Sequence, residues 1–195
     1  MAWFCSAYWP DFTPPLTLLG SIGESTSADF QKGLAAARSG DFATALREWT
    51  PLAEQGDAGI QSLLGSMYNE GKGVPQDYRE AAKLYQLSAD QGDAKAQLTL
   101  GVMYSSGQGV PQDYNEAVKW YRLSAERGYA SAQYNLGSMY YKGEGVPQDY
   151  KEAVRLFRLS AEQGDADAQH NLGVMYYNGD GVPQDYVSAH MWFNL

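Results

Sequence analysis

A six-residue phrase, Gly73-Val74-Pro75-Gln76-Asp77-Tyr78, returns at Gly109–Tyr114, Gly145–Tyr150 and Gly181–Tyr186, each time after 36 residues. The pairs Leu64-Gly65, Leu100-Gly101, Leu136-Gly137 and Leu172-Gly173 keep the same step. Self-similarity at a period of a few tens of residues means one supersecondary unit copied along the chain. A single copy cannot bury its own apolar face, so neighbouring copies must stack. The complete units are 57–92, 93–128 and 129–164. A shorter unit at about 25–56 precedes them, with Ser39-Gly40-Asp41-Phe42 in place of the longer loop, and a unit at 165–195 breaks off before its register is complete. The expected organisation is a leader over 1–24 and a repeat array over 25–195.

Each unit reads as two helices. In the first, about 94–105, Ala96, Leu100, Met103 and Tyr104 fall on one stripe at helical spacing; in the second, about 114–127, Tyr114, Ala117, Tyr121 and Ala125 do the same. Asp113 stands at the N-cap, and Glu116 three residues on completes a capping-box pattern that recurs as Asp77/Glu80 and Asp149/Glu152. Gly92 and Gly164 end the second helices, and Asp93 and Asp165 cap the next. Helices joined by turns this short lie antiparallel to their neighbours, so the fold class is all-α, a solenoid of antiparallel helix pairs. Gly101 and its equivalents sit inside the first helix, where glycine costs about 1 kcal/mol against alanine. Close helix packing, helped by Ala117 and Ala125, is the expected compensation. Pro51, late in a helix, predicts a kink.

Composition narrows the function. A net charge of −9 and the lack of any Lys/Arg cluster argue against a nucleic-acid ligand, whose affinity comes mostly from basic side chains on phosphates. Cys5 is the single cysteine, so no internal disulfide or cysteine-based zinc site is available. No apolar run reaches the roughly 20 residues of a membrane-spanning helix. The leader lacks the basic start of a secretory signal, since the first cation is Lys32, yet 16–23 is an apolar core and Thr26-Ser27-Ala28 suits a cleavage site. It reads either as a degenerate signal or as a disordered segment. The loop Gly107-Gln108-Gly109-Val110-Pro111 lacks the Gly-Lys-Ser/Thr of a phosphate-binding loop, so its glycines serve the turn.

The phrases Ala-x-Ala-Gln-x-x-Leu-Gly-x-Met-Tyr, Gly-x-Gly-Val-Pro-Gln-Asp-Tyr, Glu-Ala and Leu-Ser-Ala resemble the Sel-1-like repeat, a subfamily of tetratricopeptide-type helical repeats. The resemblance covers about 25–195. It implies a right-handed superhelix acting as a protein-binding scaffold or adaptor, commonly bacterial and often exported to the envelope, with the first helices lining a concave groove. It also implies an alternative, an envelope hydrolase or a β-lactam- or peptidoglycan-binding protein.

Positions that differ between units lie on one face of each first helix, which is where a partner would be selected. The candidate binding residues are Lys95, Thr99, Tyr134, Asn135, Tyr141, Lys142, His170, Asn171 and Tyr177. Asparagine amides donate to and accept from an extended backbone, tyrosines offer rigid area with a polar tip, and the lysines suit an acidic side chain or a terminal carboxylate. The expected partner is a protein or peptide, with no cofactor and no metal. Catalysis is not expected: no second ligand accompanies His170 at metal spacing, and His190 takes the register position of Val118 and Val154, which predicts a core role. The apolar run His190–Leu195 predicts a truncated array or an end covered by a second copy.

Overall fold

In the computed structural model, the described residues are 24–194, with side chains from 27, and they form ten helices and no strands. The leader assignment falls outside the described residues, except that Thr26-Ser27-Ala28 lies within the first helix. The described residues divide into two compact units, split after Asp93. In the first, α1 (Glu24–Arg38), α2 (Phe42–Glu54), α3 (Ala58–Glu70) and α4 (Tyr78–Asp90) pack in succession. In the second, α5 (Ala94–Ser106), α6 (Tyr114–Glu126), α7 (Ala130–Lys142), α8 (Tyr150–Ala161), α9 (Ala166–Asn178) and α10 (Tyr186–Phe193) do likewise. Helix limits match the sequence expectation to within about a residue, the ordinary uncertainty of such ends. None of the described helices is long and apolar enough to cross a membrane.

The repeated phrase works as a set of backbone clips. Asp113 Oδ1 accepts from the N–H groups of Asn115 and Glu116, and Asp77, Asp149 and Asp185 cap α4, α8 and α10 in the same way. The reciprocal half of the expected capping box does not form. The Asp113 N–H donates to Tyr104 O at 3.0 Å, closing the loop onto the preceding helix. With that donor taken, Glu116 pairs with Lys119 along the helix instead, as Glu80 does with Lys83 and Glu152 with Arg155. The glutamine of the phrase forms a second clip. Gln76, Gln112, Gln148 and Gln184 each donate, at 2.8 Å, to a carbonyl at the C-terminus of the first helix. The second loop glycine has φ near +70° at Gly145 and Gly181, and a Cβ there would meet the backbone of Tyr114 or Tyr150 in the preceding pair. It therefore fixes both the turn and the spacing between pairs.

The glycine inside each first helix faces a ring on the helix paired with it, not the small residues Ala117 and Ala125. Trp49, Tyr85, Tyr121, Phe157 and Phe193, all 36 residues apart, sit over Gly33, Gly65, Gly101, Gly137 and Gly173. Trp49, Tyr85, Tyr121 and Phe157 are buried, which offsets the propensity cost of the glycine, since a buried large side chain contributes about 1.5–3 kcal/mol; Phe193 is exposed. In the first unit Trp49 also donates Nε1–H to Phe30 O at 3.3 Å within a core of Phe30, Leu34, Ile60, Leu64 and Met67. α2 runs through Pro51 to Glu54 without a break.

Side chains also tie one pair to the next. Gln133 and Gln169 donate to Ala125 O and Ala161 O of the preceding pair, while within a pair Gln163 donates to Gln133 Oε1, and Ser124 and Ser160 donate to Ala94 O and Ala130 O. His190 corrects the core expectation, for it is exposed and its neighbour is Asn194. Val154, at the same register, is buried because α9 brings Ala168 and Leu172 against it; among the described residues no helix follows α10 to do so.

Candidate functional site

The variable faces of α7 and α9 converge on a pocket of about 290 Å³, floored by an α8 ring. Tyr134, Ser138, Tyr141 and Lys142 come from α7, Phe157 from α8, and Asn171, Val174 and Met175 from α9. Residues spaced three and four apart share a helix face, which is why Tyr134, Ser138 and Tyr141 arrive together. Phe157 and Met175 are buried and form the apolar base. The Tyr134 ring lies 5.7 Å from that of Phe157 at 43°, and Tyr141 lies 5.3 Å from Tyr150 at 56°.

The polar groups are few and placed at the edge. Ser138 Oγ donates to Tyr134 O at 3.1 Å, leaving its lone pairs toward solvent or a ligand. Asn171 makes no side-chain hydrogen bond to any described residue, and neither does Asn135 one repeat earlier; both are half-buried. Each amide is thus open to one donor and one acceptor of a bound chain. Lys142 is exposed and 3.9 Å from Glu144, a long pairing that leaves its ammonium able to meet another anion. Burial first, then the charge of Asp180 and the nearby Tyr150 phenol, pushes the Tyr141 hydroxyl above its ordinary value of 10. It therefore remains a proton donor at neutral pH.

Of the nine sequence candidates, Tyr134, Tyr141, Lys142 and Asn171 line this pocket. Asn135 is on the same helix but outside the lining. Lys95 and Thr99 are on α5, where Thr99 Oγ1 donates to Lys95 O at 3.0 Å. His170 is exposed, with its ring 5.4 Å from Phe193, and Tyr177 is exposed, 5.3 Å from Tyr186. The floor residues Phe157 and Met175 were missed because their positions are apolar in every unit and read as packing. The one available signal was the loss of a hydroxyl at Phe157, where Tyr85 and Tyr121 stand in earlier units. Among the described residues no cluster of three His, Cys, Asp or Glu side chains is arranged to hold a metal ion.

The Sel1 repeat family model matches residues 61–93, 94–129, 130–165 and 166–195. The fold superposes on a protective antigen of uropathogenic Escherichia coli that displays an SLR fold, at 37% identity and a TM-score of 0.83, covering 87% of this chain and 37% of that one. It also superposes on a Sel1 repeat protein from Oxalobacter formigenes, at 34% identity and a TM-score of 0.78, covering 83% of this chain and 67% of the other. This chain thus spans little more than a third of the E. coli antigen. No curated protein matches it in sequence.

Proposed function

The chain belongs to the Sel1 repeat family, and from that premise we propose that it is a non-catalytic scaffold whose variable face binds an extended peptide segment of a partner protein. The pocket carries this reading: an apolar base, two aromatic walls and an unpaired amide together suit one apolar side chain whose backbone runs across Asn171. A volume of about 290 Å³ is at the small end for a ligand pocket and holds one side chain, not a cofactor. Asn135 lies on the line the peptide would follow one repeat away, and Lys142 stands at the rim to receive a carboxylate beside the anchor.

The test is selection of peptides from a random display library on the purified protein, repeated with Val174→Trp, which fills the pocket, and with the Asn135→Ala/Asn171→Ala pair. The expected result is an enriched motif with an apolar anchor that both variants fail to select. A library that yields no motif, or the same motif on all three proteins, overturns the assignment.

A further inference from the structure

We propose, resting on the reading of this site as a peptide pocket, that the anchor it takes is an aromatic side chain, phenylalanine above all, and that Ser138 is the residue that selects it.

The walls of the pocket are spaced for a ring. Tyr134 and Tyr141 are seven residues apart on α7, about 10.5 Å along the axis at a rise of about 1.5 Å per residue. Tyr150 and Phe157 are seven apart on the antiparallel helix α8, and the rings pair across: Tyr134 with Phe157 at 5.7 Å, Tyr141 with Tyr150 at 5.3 Å. Each wall is thus backed by a second ring, which holds the opening in place before a ligand arrives. A ring placed midway would lie about 5 Å from each tyrosine, inside the roughly 4.5–7 Å range of favourable aromatic pairs. Beneath it are Phe157 and the thioether of Met175, a further ring and a sulfur that aromatic groups contact favourably. An aliphatic anchor gains burial there but none of these ring contacts.

Ser138 makes the space. It stands between the two tyrosines, half-buried, with its hydroxyl turned back to Tyr134 O at 3.1 Å. The other first helices of the same unit carry valine at that register, Val102 and Val174. In α9 both wall positions hold rings, His170 and Tyr177, yet Val174 lies between them; in α5 the walls are Leu98 and Ser105. In α3 the middle residue is Ser66, but Ser62 and Asn69 stand where the rings would be. Two rings with a small residue between them therefore occur in α7 alone among the described first helices. The floor sets the order among aromatic anchors. The Phe157 ring and the Met175 sulfur are at best weak acceptors, so the hydroxyl of a tyrosine anchor would give up water without gaining a partner. Phenylalanine carries no such group.

The test reads the anchor position. A random peptide display library is selected on the full chain and on its Ser138→Ala, Ser138→Val and Val174→Trp variants, and synthetic peptides of the enriched motif with Phe, Tyr or Leu at the anchor are titrated by calorimetry. The expected result is phenylalanine at the anchor on the parent and on Ser138→Ala, a roughly tenfold loss of affinity with Tyr or Leu there, and a similar loss of the Phe peptide on Ser138→Val. An aliphatic anchor on the parent, Tyr or Leu bound as well as Phe, or a Phe peptide held equally by parent and Ser138→Val overturns the aromatic assignment; if Val174→Trp still abolishes capture, the pocket stands as a peptide site. Capture that survives Val174→Trp, or no motif on the parent, overturns both. Valine is the residue that α5 and α9 carry at this register, and unchanged urea unfolding of Ser138→Val shows that a loss reports the slot. The anchor selected by the parent tests the assignment whatever the stability of that variant.

Discussion

Two neighbouring interfaces of the second unit use one scaffold to different ends. Where α5, α6 and α7 meet, the variable positions hold Leu98, Val102 and Ser105, with Tyr121 as the ring over Gly101. Tyr121 is 3% exposed, and its hydroxyl is 3.1 Å from Ser105 Oγ. Leu98 and Val102 pack onto the core beside it. Where α7, α8 and α9 meet, the same positions hold Tyr134, Ser138 and Tyr141, and Phe157 replaces the tyrosine. The first interface is tied to itself by a hydroxyl pair. In the second no hydroxyl crosses the floor, the tyrosines stand as walls, and space remains between them. Packing residues thus set the distance between helix pairs, and a few variable side chains decide whether that distance is filled or left open to a ligand.

Ring clearance separates the two interfaces most sharply. A Cβ on Gly101 would lie 2.5 Å from the Tyr121 ring, whereas on Gly137 it would lie 3.0 Å from Phe157. Gly101→Ala should therefore destabilise the protein by about 3 kcal/mol and Gly137→Ala by about 1 kcal/mol, after the gain in helix propensity. Urea unfolding measures both, and equal losses would mean that ring clearance does not distinguish the interfaces. Next in size is the conversion of one interface into the other. Tyr134→Leu/Tyr141→Ser should weaken binding of a selected peptide by about tenfold to a hundredfold, with stability held within about 1 kcal/mol. Peptide binding that survives this change would place recognition elsewhere.

Smaller effects sharpen the contrast in the floor. Tyr121→Phe removes a buried hydroxyl pair and should cost about 1 kcal/mol. The loss has a pH signature. Burial pushes the Tyr121 phenol up to about 12, with the Ser105 hydrogen bond opposing the shift. The unfolded chain releases that proton near its ordinary value of 10, so this contribution is intact below that pH and is lost as pH rises toward about 12. Parent minus Tyr121→Phe stability, followed by denaturation from pH 8 to about 12, should shrink over that window; a flat difference would remove burial of the phenol as the cause. The smallest effect expected is from Asn171→Ala alone, a several-fold loss of peptide affinity with stability unchanged within about 0.5 kcal/mol.

Much of this molecule was legible from residue spacing because its decisive signals are local. The 36-residue step, the aspartate caps and the loop glycines each act within a turn or two of their own backbone, and the helices begin and end where those residues put them. The capping box shows where local reading stops. Glu116 had the right spacing, but the Asp113 N–H had already been taken by Tyr104 of the preceding helix. His190 shows it again: its register matched a core valine, and burial depended on a helix packed against it.

The binding face was half legible. Differences between copies pointed to Tyr134, Tyr141, Lys142 and Asn171, since a position free to vary is not fixed by packing. The same comparison included Lys95, Thr99, His170 and Tyr177, which lie apart from the pocket, and passed over Phe157 and Met175, which floor it. By itself the sequence determined the repeat, the helices and the face that varies, because those follow from short-range hydrogen bonding and helical periodicity. Only the tertiary structure decided which variable residues meet, because that depends on how closely one helix pair stacks on the next, and the loop glycines Gly145 and Gly181, resting on the backbone of the preceding pair, set that distance.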